Sequence, residues 1–255
     1  MIGQNFSYQE LIDRNWGYIN ESLQSEIKKA RLFFAGCGLG SSIAETAARL
    51  GFSNFILADG DNVEASNLNR QAFDKSHIGV NKAAATSSIL KKINPKVNID
   101  VIKKNITNND ISNLVRRSDF IVNTVDFGEV YFNLVKAGQE NKKHILLPFN
   151  IGFGGFVLIF NENTKSLDKI MGGGIIGNDI AFYKTLLNVF KPNNLPIYIA
   201  ENISSIFSNM KLRHNNPQIV IGAEIVSALV ITSIVKILAG QKVPMAPRYI
   251  YKDIF

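Results

Sequence analysis

The sequence predicts a doubly wound α/β fold, a mostly parallel sheet with helices on both faces and a helical arm ahead of it. Three observations carry this. Short apolar runs alternate with amphipathic stretches of helical period in the order β, α, β, α, β. The first run is closed by a glycine cluster, Gly36, Gly38 and Gly40, that opens the next helix. Acidic residues then stand at the ends of later runs, at Asp59 and Asp126, and ligands of open α/β sheets bind beyond those ends.

The elements follow in order. Leu11, Ile12, Tyr18, Ile19, Leu23 and Ile27 are apolar points among polar residues, so 8–29 is expected as one helical arm. Arg31 to Ala35 is the first strand, Ser41 to Leu50 the helix after it, closed by Gly51, and Asn54 to Ala58 the second strand. Lys82 to Ile93 is a helix stopped by Asn94 and Pro95, and Asn98 to Ile102 the third strand. A short helix over Ile111 to Arg116, a buried strand over Phe120 to Val125 and a helix over Val130 to Asn141 come next. Strands are expected at His144 to Pro148 and Gly154 to Phe160. Between Asn161 and Asn216 only helical pieces near Ile180 to Phe190 and Ile203 to Met210 are readable. An apolar helix, Ile219 to Leu238, and a last strand over Arg248 to Tyr251 close the chain. The whole reads as a single domain: an arm over 1–30, a nucleotide-binding half over 31–150, and a partner-binding and dimerisation half over 151–255.

At 255 residues and 46% hydrophobic the chain can bury a sizeable core. Its start lacks the basic-then-apolar pattern of a signal peptide, and Glu224 and Lys236 interrupt its most apolar stretch. No membrane association and a cytoplasmic place are the expectations. One cysteine, Cys37, excludes an internal disulfide and a multi-cysteine zinc site. The net charge of +7 comes from scattered lysine and arginine pairs without interleaved aromatics, which fits solvated faces better than a nucleic-acid platform.

The chemistry is concentrated between Arg31 and Lys82. A glycine turn lets the backbone approach phosphate and points free amides at the following helix start. Here the sixth position of the usual G-x-G-x-x-G is Ser41, whose minimal role is to cap the helix and whose hydroxyl could also reach phosphate. Asp59 stands 23 residues after Gly36, where a carboxylate can accept both ribose hydroxyls. Asp61 follows in the loop. Arg70 can clamp phosphates and offset charge that grows in a transition state. Lys82 opens a helix, where its charge opposes the dipole, so a phosphate-binding role accounts for it better than local structure does.

The block Asp59-Gly60-Asp61-x-Val63-Glu64-x-Ser66-Asn67-Leu68-Asn69-Arg70-Gln71, with Gly79-x-x-Lys82, Ile93-Asn94-Pro95 and Asp126, resembles the ubiquitin-activating-like adenylyltransferases. These include the ThiF, MoeB and HesA proteins that adenylate sulfur-carrier proteins. The resemblance runs from about Arg14 to Phe255. It implies a Rossmann-like adenylation domain in which Gly36, Gly38, Gly40 and Ser41 hold ATP, Asp59 binds the ribose with Asp61 nearby, and Asn67, Arg70 and Lys82 surround the triphosphate. It further implies that Asp126 holds Mg²⁺ and that Arg14 reaches the ATP site of a second copy in a homodimer. Arg14, Arg70, Lys82 and Asp126 would thus be the catalytic set.

The reaction so implied is attack of a carboxylate, the C-terminus of a small carrier protein or peptide, on the α-phosphorus of ATP, with pyrophosphate leaving. The chain departs from many relatives in lacking both the paired Cys-x-x-Cys zinc ligands and a downstream catalytic cysteine, so no zinc and no self-thioester are expected. The glycine loop is also one residue shorter than in the sulfur-carrier enzymes. Two other readings stand beside the first: a tRNA-modifying dehydratase of the threonylcarbamoyladenosine type, to which the basic charge lends slight support, and a non-catalytic scaffold of the same fold.

Overall fold

A computed structural model describes residues 6–172, 197–213 and 217–255. Its centre is a seven-stranded sheet built from β1 (Arg31–Ala35), β2 (Asn54–Ala58), β3 (Asn98–Ile102), β4 (Phe120–Asn123), β5 (His144–Ile151), β6 (Gly154–Phe160) and β7 (Tyr249–Asp253), in the order β3-β2-β1-β4-β5-β6-β7. β3 through β5 run parallel, and β6 and β7 pair antiparallel at one edge. The order reverses between β1 and β4, which leaves a crevice beyond their carboxyl ends.

Alternation along the strands explains the two covered faces. Leu32 and Phe34 of β1 join a core with Ile43, Ala44 and Ala47 of α3 (Leu39–Leu50), Leu90 of α4 (Lys82–Ile93) and Val226, Val230 and Ile234 of α9 (Val220–Leu238). Phe33 and Ala35 point the other way, against Leu114 of α5 (Asn108–Arg116), Leu134 of α6 (Glu129–Glu140) and Leu167 of α7 (Leu167–Ile170). A period of two thus feeds both layers from one strand. α9 is long and apolar enough to cross a membrane. In the fold its inner face packs on β6, β5 and α3.

The arm is not one helix. It divides into α1 (Tyr8–Ile12), a 3₁₀ turn at Asp13–Asn15 and α2 (Glu21–Lys29). Gly17 at φ +83° turns the backbone left-handed, and Asn20 caps a fresh helix start by accepting from the Leu23 amide at 2.9 Å. The broken arm then closes the end of α3: the Tyr8 hydroxyl donates to the Gly51 carbonyl at 2.8 Å, and Asn15 and Gln24 donate to the Leu50 carbonyl at 3.2 and 3.1 Å. Those carbonyls have no partner within their own helix.

Other boundaries shift by a few residues. α3 and α5 begin earlier than expected, because Gly38 and Thr107 stand at their N-caps, the latter in a capping box with Asp110. β4 ends at Asn123, so Val125 and Asp126 lie past the strand. β5 runs on through Pro148 to Ile151, and β7 spans Tyr249–Asp253. The helical piece near Ile203 to Met210 belongs to a longer α8 (Ile197–Arg213), whereas the one expected at Ile180 to Phe190 lies outside the described residues.

Candidate active site

The crevice beyond β1, β2 and β4 holds a cavity of about 430 Å³. That is within the ordinary range of small-ligand sites. Gly36, Gly38, Asp59, Asp61, Asn67, Arg70, Lys82 and Asp126 all line it, brought together from four separate segments.

The glycine turn is fixed by its own packing. Gly36 sits at φ +94°, and a side chain there would bring its Cβ within 2.7 Å of the Thr124 carbonyl oxygen. Both strain and space therefore require glycine. Gly40 serves packing instead. Its Cβ would lie 3.2 Å from Thr124 Oγ1 and 3.5 Å from the Phe34 ring, so its bare backbone lets α3 approach the sheet. Gly40 does not line the cavity. Ser41 is fully buried, also outside the lining, and its hydroxyl donates to the Gly38 carbonyl at 2.7 Å while accepting from the Ala72 amide at 3.2 Å. Its hydroxyl is thus engaged within the turn, and the contact with phosphate implied by the resemblance has no counterpart in the cavity lining. Ser41 fastens the turn to the loop that follows β2.

Asp59 fixes the turn from the other side. Its Oδ2 accepts from the Cys37 amide at 2.7 Å and its Oδ1 from the Asp61 amide at 2.8 Å. Burial pushes its pKa above the usual carboxylate range, against the pull of those two amides and of Lys82. The Cys37 thiol is fully buried, and burial, followed by the nearby Asp59, pushes its pKa well up, so it stays a protonated core group.

The cations are already engaged. Lys82 Nζ, largely buried, pairs with Asp61 Oδ2 at 3.1 Å. The helix it opens is capped by Asn81, whose amide also donates to the carbonyls of Asp59 and Asp61 at 2.9 and 3.2 Å. Asn67 is buried and accepts on Oδ1 from the Glu64 amide at 3.0 Å, which closes a capping box in the loop. Arg70 donates from Nη1 to Asn69 Oδ1 at 2.7 Å and to the Ser66 carbonyl at 3.0 Å, and from Nε to Gln218 Oε1. Burial lowers its pKa from the normal arginine value.

Asp126 stands exposed past β4 at the cavity. Among the described residues no group of three or more His, Cys, Asp or Glu converges on one point. A single carboxylate at a phosphate site nevertheless suits magnesium, which takes one or two carboxylates and lets phosphate oxygens and water supply the rest. Arg14 is exposed on the 3₁₀ turn of the arm and does not line its own chain's cavity.

The cavity also recruits residues that sequence reasoning passed over: Asn105 and Ile106 after β3, Asn123 and Thr124 at the end of β4, Tyr131 on α6, Asn150 on β5, and Gln218. Position past a strand end could have flagged the first four. Nothing local marks Gln218, which sits 148 residues from its partner Arg70.

A model of the ThiF family matches residues 11–255. A sulfur carrier protein ThiS adenylyltransferase from Bacillus subtilis (strain 168) is 35% identical over 159 residues, 61% of this chain and 46% of that protein. A probable molybdopterin-synthase adenylyltransferase from Gracilaria tenuistipitata var. liui is 29% identical over 149 residues, 57% of this chain and 42% of that one. The chain thus spans less than half the length of these relatives. Among solved structures, E. coli MccB superposes with a TM-score of 0.67 at 18% identity, over 99% of this chain and 70% of MccB. PaaA superposes with a TM-score of 0.65 at 18% identity, over 100% of this chain and 86% of PaaA. At that identity the likeness is one of fold.

Proposed function

The chain belongs to the ThiF family, and from that premise we propose that it adenylates a carboxylate, the C-terminus of a small carrier protein or a peptide, at the expense of ATP. The single observation that carries this reading is the convergence of Asp59, Asn67, Arg70, Lys82 and Asp126 on one cavity at the reversal point of the sheet. Relatives named as adenylyltransferases of ThiS and of molybdopterin synthase support it.

The chemistry asks for little beyond placement and charge. A carboxylate oxygen forms a bond to the α-phosphorus, the bond from that phosphorus to the bridging oxygen breaks, and pyrophosphate leaves with the electron pair. The attacking group is ionised at neutral pH, so no general base is needed. Two anions must meet, and that repulsion is the barrier the site has to lower. Asp59, fixed by two amides, offers its remaining lone pairs to ribose hydroxyls. The start of α3 behind the glycine turn offers the phosphates a helix N-terminus, which favours anions. Lys82 exchanges Asp61 for phosphate, and Arg70 adds a second cation. Asp126 would hold Mg²⁺, which when bound neutralises charge on the departing pyrophosphate. Arg14 is assigned to the neighbouring site of a homodimer, a role that fits its exposure and its place outside the lining of its own cavity.

The decisive experiment is ATP–pyrophosphate exchange against a panel of carrier proteins, peptides and tRNA. Exchange with a protein or peptide carboxylate is expected, and Arg70→Ala and Asp126→Ala should each lower it by about 10²-fold or more. Exchange with tRNA alone would favour the dehydratase reading, and binding of ATP without exchange on any partner would favour a scaffold. Exchange that survived both substitutions would refute the site.

A further inference from the structure

One residue ties the phosphate loop to the far half of the chain. Gln218, just ahead of α9, accepts from Arg70 Nε on its side-chain Oε1 and from Asn69 Nδ2 on its backbone carbonyl at 3.1 Å. Asn69 returns the link by accepting from Arg70 Nη1. A guanidinium has five N–H groups in a rigid fork. The one on Nε goes to Gln218, and the two on Nη1 go to Asn69 and the Ser66 carbonyl. Among the described residues nothing accepts from Nη2. The fork is therefore held at Nε and Nη1, with Nη2 left as its unengaged end among the described residues, and both Arg70 and Gln218 line the cavity.

The anchor is itself firmly seated. Gly222, one turn into α9, lies so close to the β5–β6 turn that a Cβ would come within 2.6 Å of the Gly152 carbonyl oxygen and 2.9 Å of that of Gly154. The start of α9 therefore rests directly on the sheet. A loose arginine must give up several rotatable bonds to meet a phosphate, whereas one clamped beforehand has already done so.

We infer that Gln218 is a positioning residue that holds the Arg70 guanidinium so that its Nη2 group is left to donate to the triphosphate of ATP. The inference rests on the nucleotide reading of the cavity given above. It predicts that Gln218 acts on ATP only through Arg70. It also makes the beginning of α9 part of the nucleotide site, although the residues on either side of Gln218 carry no nucleotide-binding pattern.

The test uses the whole chain with ATP and magnesium, and reads two signals. In ¹⁵N spectra of arginine side chains, the Arg70 Nε–H resonance is expected to be protected in the wild type, lost in Gln218→Met, which keeps side-chain length and removes the acceptor, and kept in Gln218→Glu. By calorimetry, Gln218→Met should bind ATP about tenfold more weakly, the value of one hydrogen bond to a charged group. Combined with Arg70→Ala it should bind no more weakly than Arg70→Ala alone. Asn69→Ala, at an exposed position, removes an Nη1 acceptor and the donor to the Gln218 carbonyl and should weaken both ATP binding severalfold and the Nε–H protection, which keeps the inference testable if Gln218→Met does not fold. An unchanged Nε–H resonance in Gln218→Met, wild-type affinity in that variant, or losses that add in the double variant would overturn the positioning role. A wild-type protein that bound no ATP would overturn the nucleotide reading itself, and the Nε–H signals would still report whether the clamp exists.

Discussion

Asp59 shows how much one side chain can be asked to do. It braces the glycine turn through the Cys37 amide, orders the next loop through Asp61, and lines the cavity proposed to take the ribose. Its carboxyl is raised above the usual range by burial. A raised carboxyl takes up its proton at higher pH than in the unfolded chain, so folding itself is helped by acid at this residue and loses that help as pH rises through the folded pKa. Ligand binding runs the other way, because only the ionised form accepts from both hydroxyls. ATP affinity is therefore expected to fall on acidification beginning above the normal aspartate range, and to lose that pH dependence in Asp59→Asn, as calorimetry across pH would show. At this scale most of the site could be read from sequence, since Asp59, Asn67, Arg70, Lys82 and Asp126 sit in one motif or directly after a strand. Ser41 could not. Its hydroxyl looks the same in sequence whether it meets phosphate or an amide of the neighbouring loop, and only packing decides.

Elements were legible where side chains alternate between two covered faces, and blurred where capping or pairing sets the end. β1, β2 and β3 follow the expected bounds because their apolar runs leave no other choice. Pro148 reads as a stop, but β4 pairs with β5 only as far as Leu146, so the amide that proline lacks is not asked to bridge to β4. The arm failed as one helix because its apolar periodicity survives across Gly17, whose left-handed backbone breaks the hydrogen bonding that periodicity assumes. The turn after β1 gives the sharpest element-level prediction. Gly36→Ala combines a left-handed φ with a Cβ 2.7 Å from Thr124, and is expected to cost at least about 2 kcal/mol in urea unfolding. Gly38→Ala meets only the flexible end of Gln71, at 3.3 Å, and should cost much less, leaving its effect on ATP binding to be seen separately.

For the whole molecule the open question is what the second half of the chain does for the first. In the sheet and its core, β6, β7 and α9 buttress the parallel strands. Arg14 raises the same issue between molecules. If its target is the site of a second copy, mixing Arg14→Ala with Arg70→Ala chains rebuilds one intact site in each mixed dimer. Random pairing would then restore about a quarter of the high-affinity ATP sites, which calorimetric stoichiometry would count. A protein that stayed monomeric at all concentrations, or a mixture with no recovery, would remove Arg14 from the catalytic set. None of this was accessible from residue spacing, because contacts made across a symmetry axis leave no periodic trace in one chain.

The glycine turn, finally, has a kinetic meaning. With Gly36 held against Thr124 and Cys37 tied to Asp59, the turn's own packing and hydrogen bonds fix its backbone. A nucleotide bound there, as proposed, would not have to contribute binding energy to order this segment. If ATP is the ligand, as proposed, its association is expected to be little slowed by rearrangement of this segment, and stopped-flow mixing would read a single concentration-dependent phase.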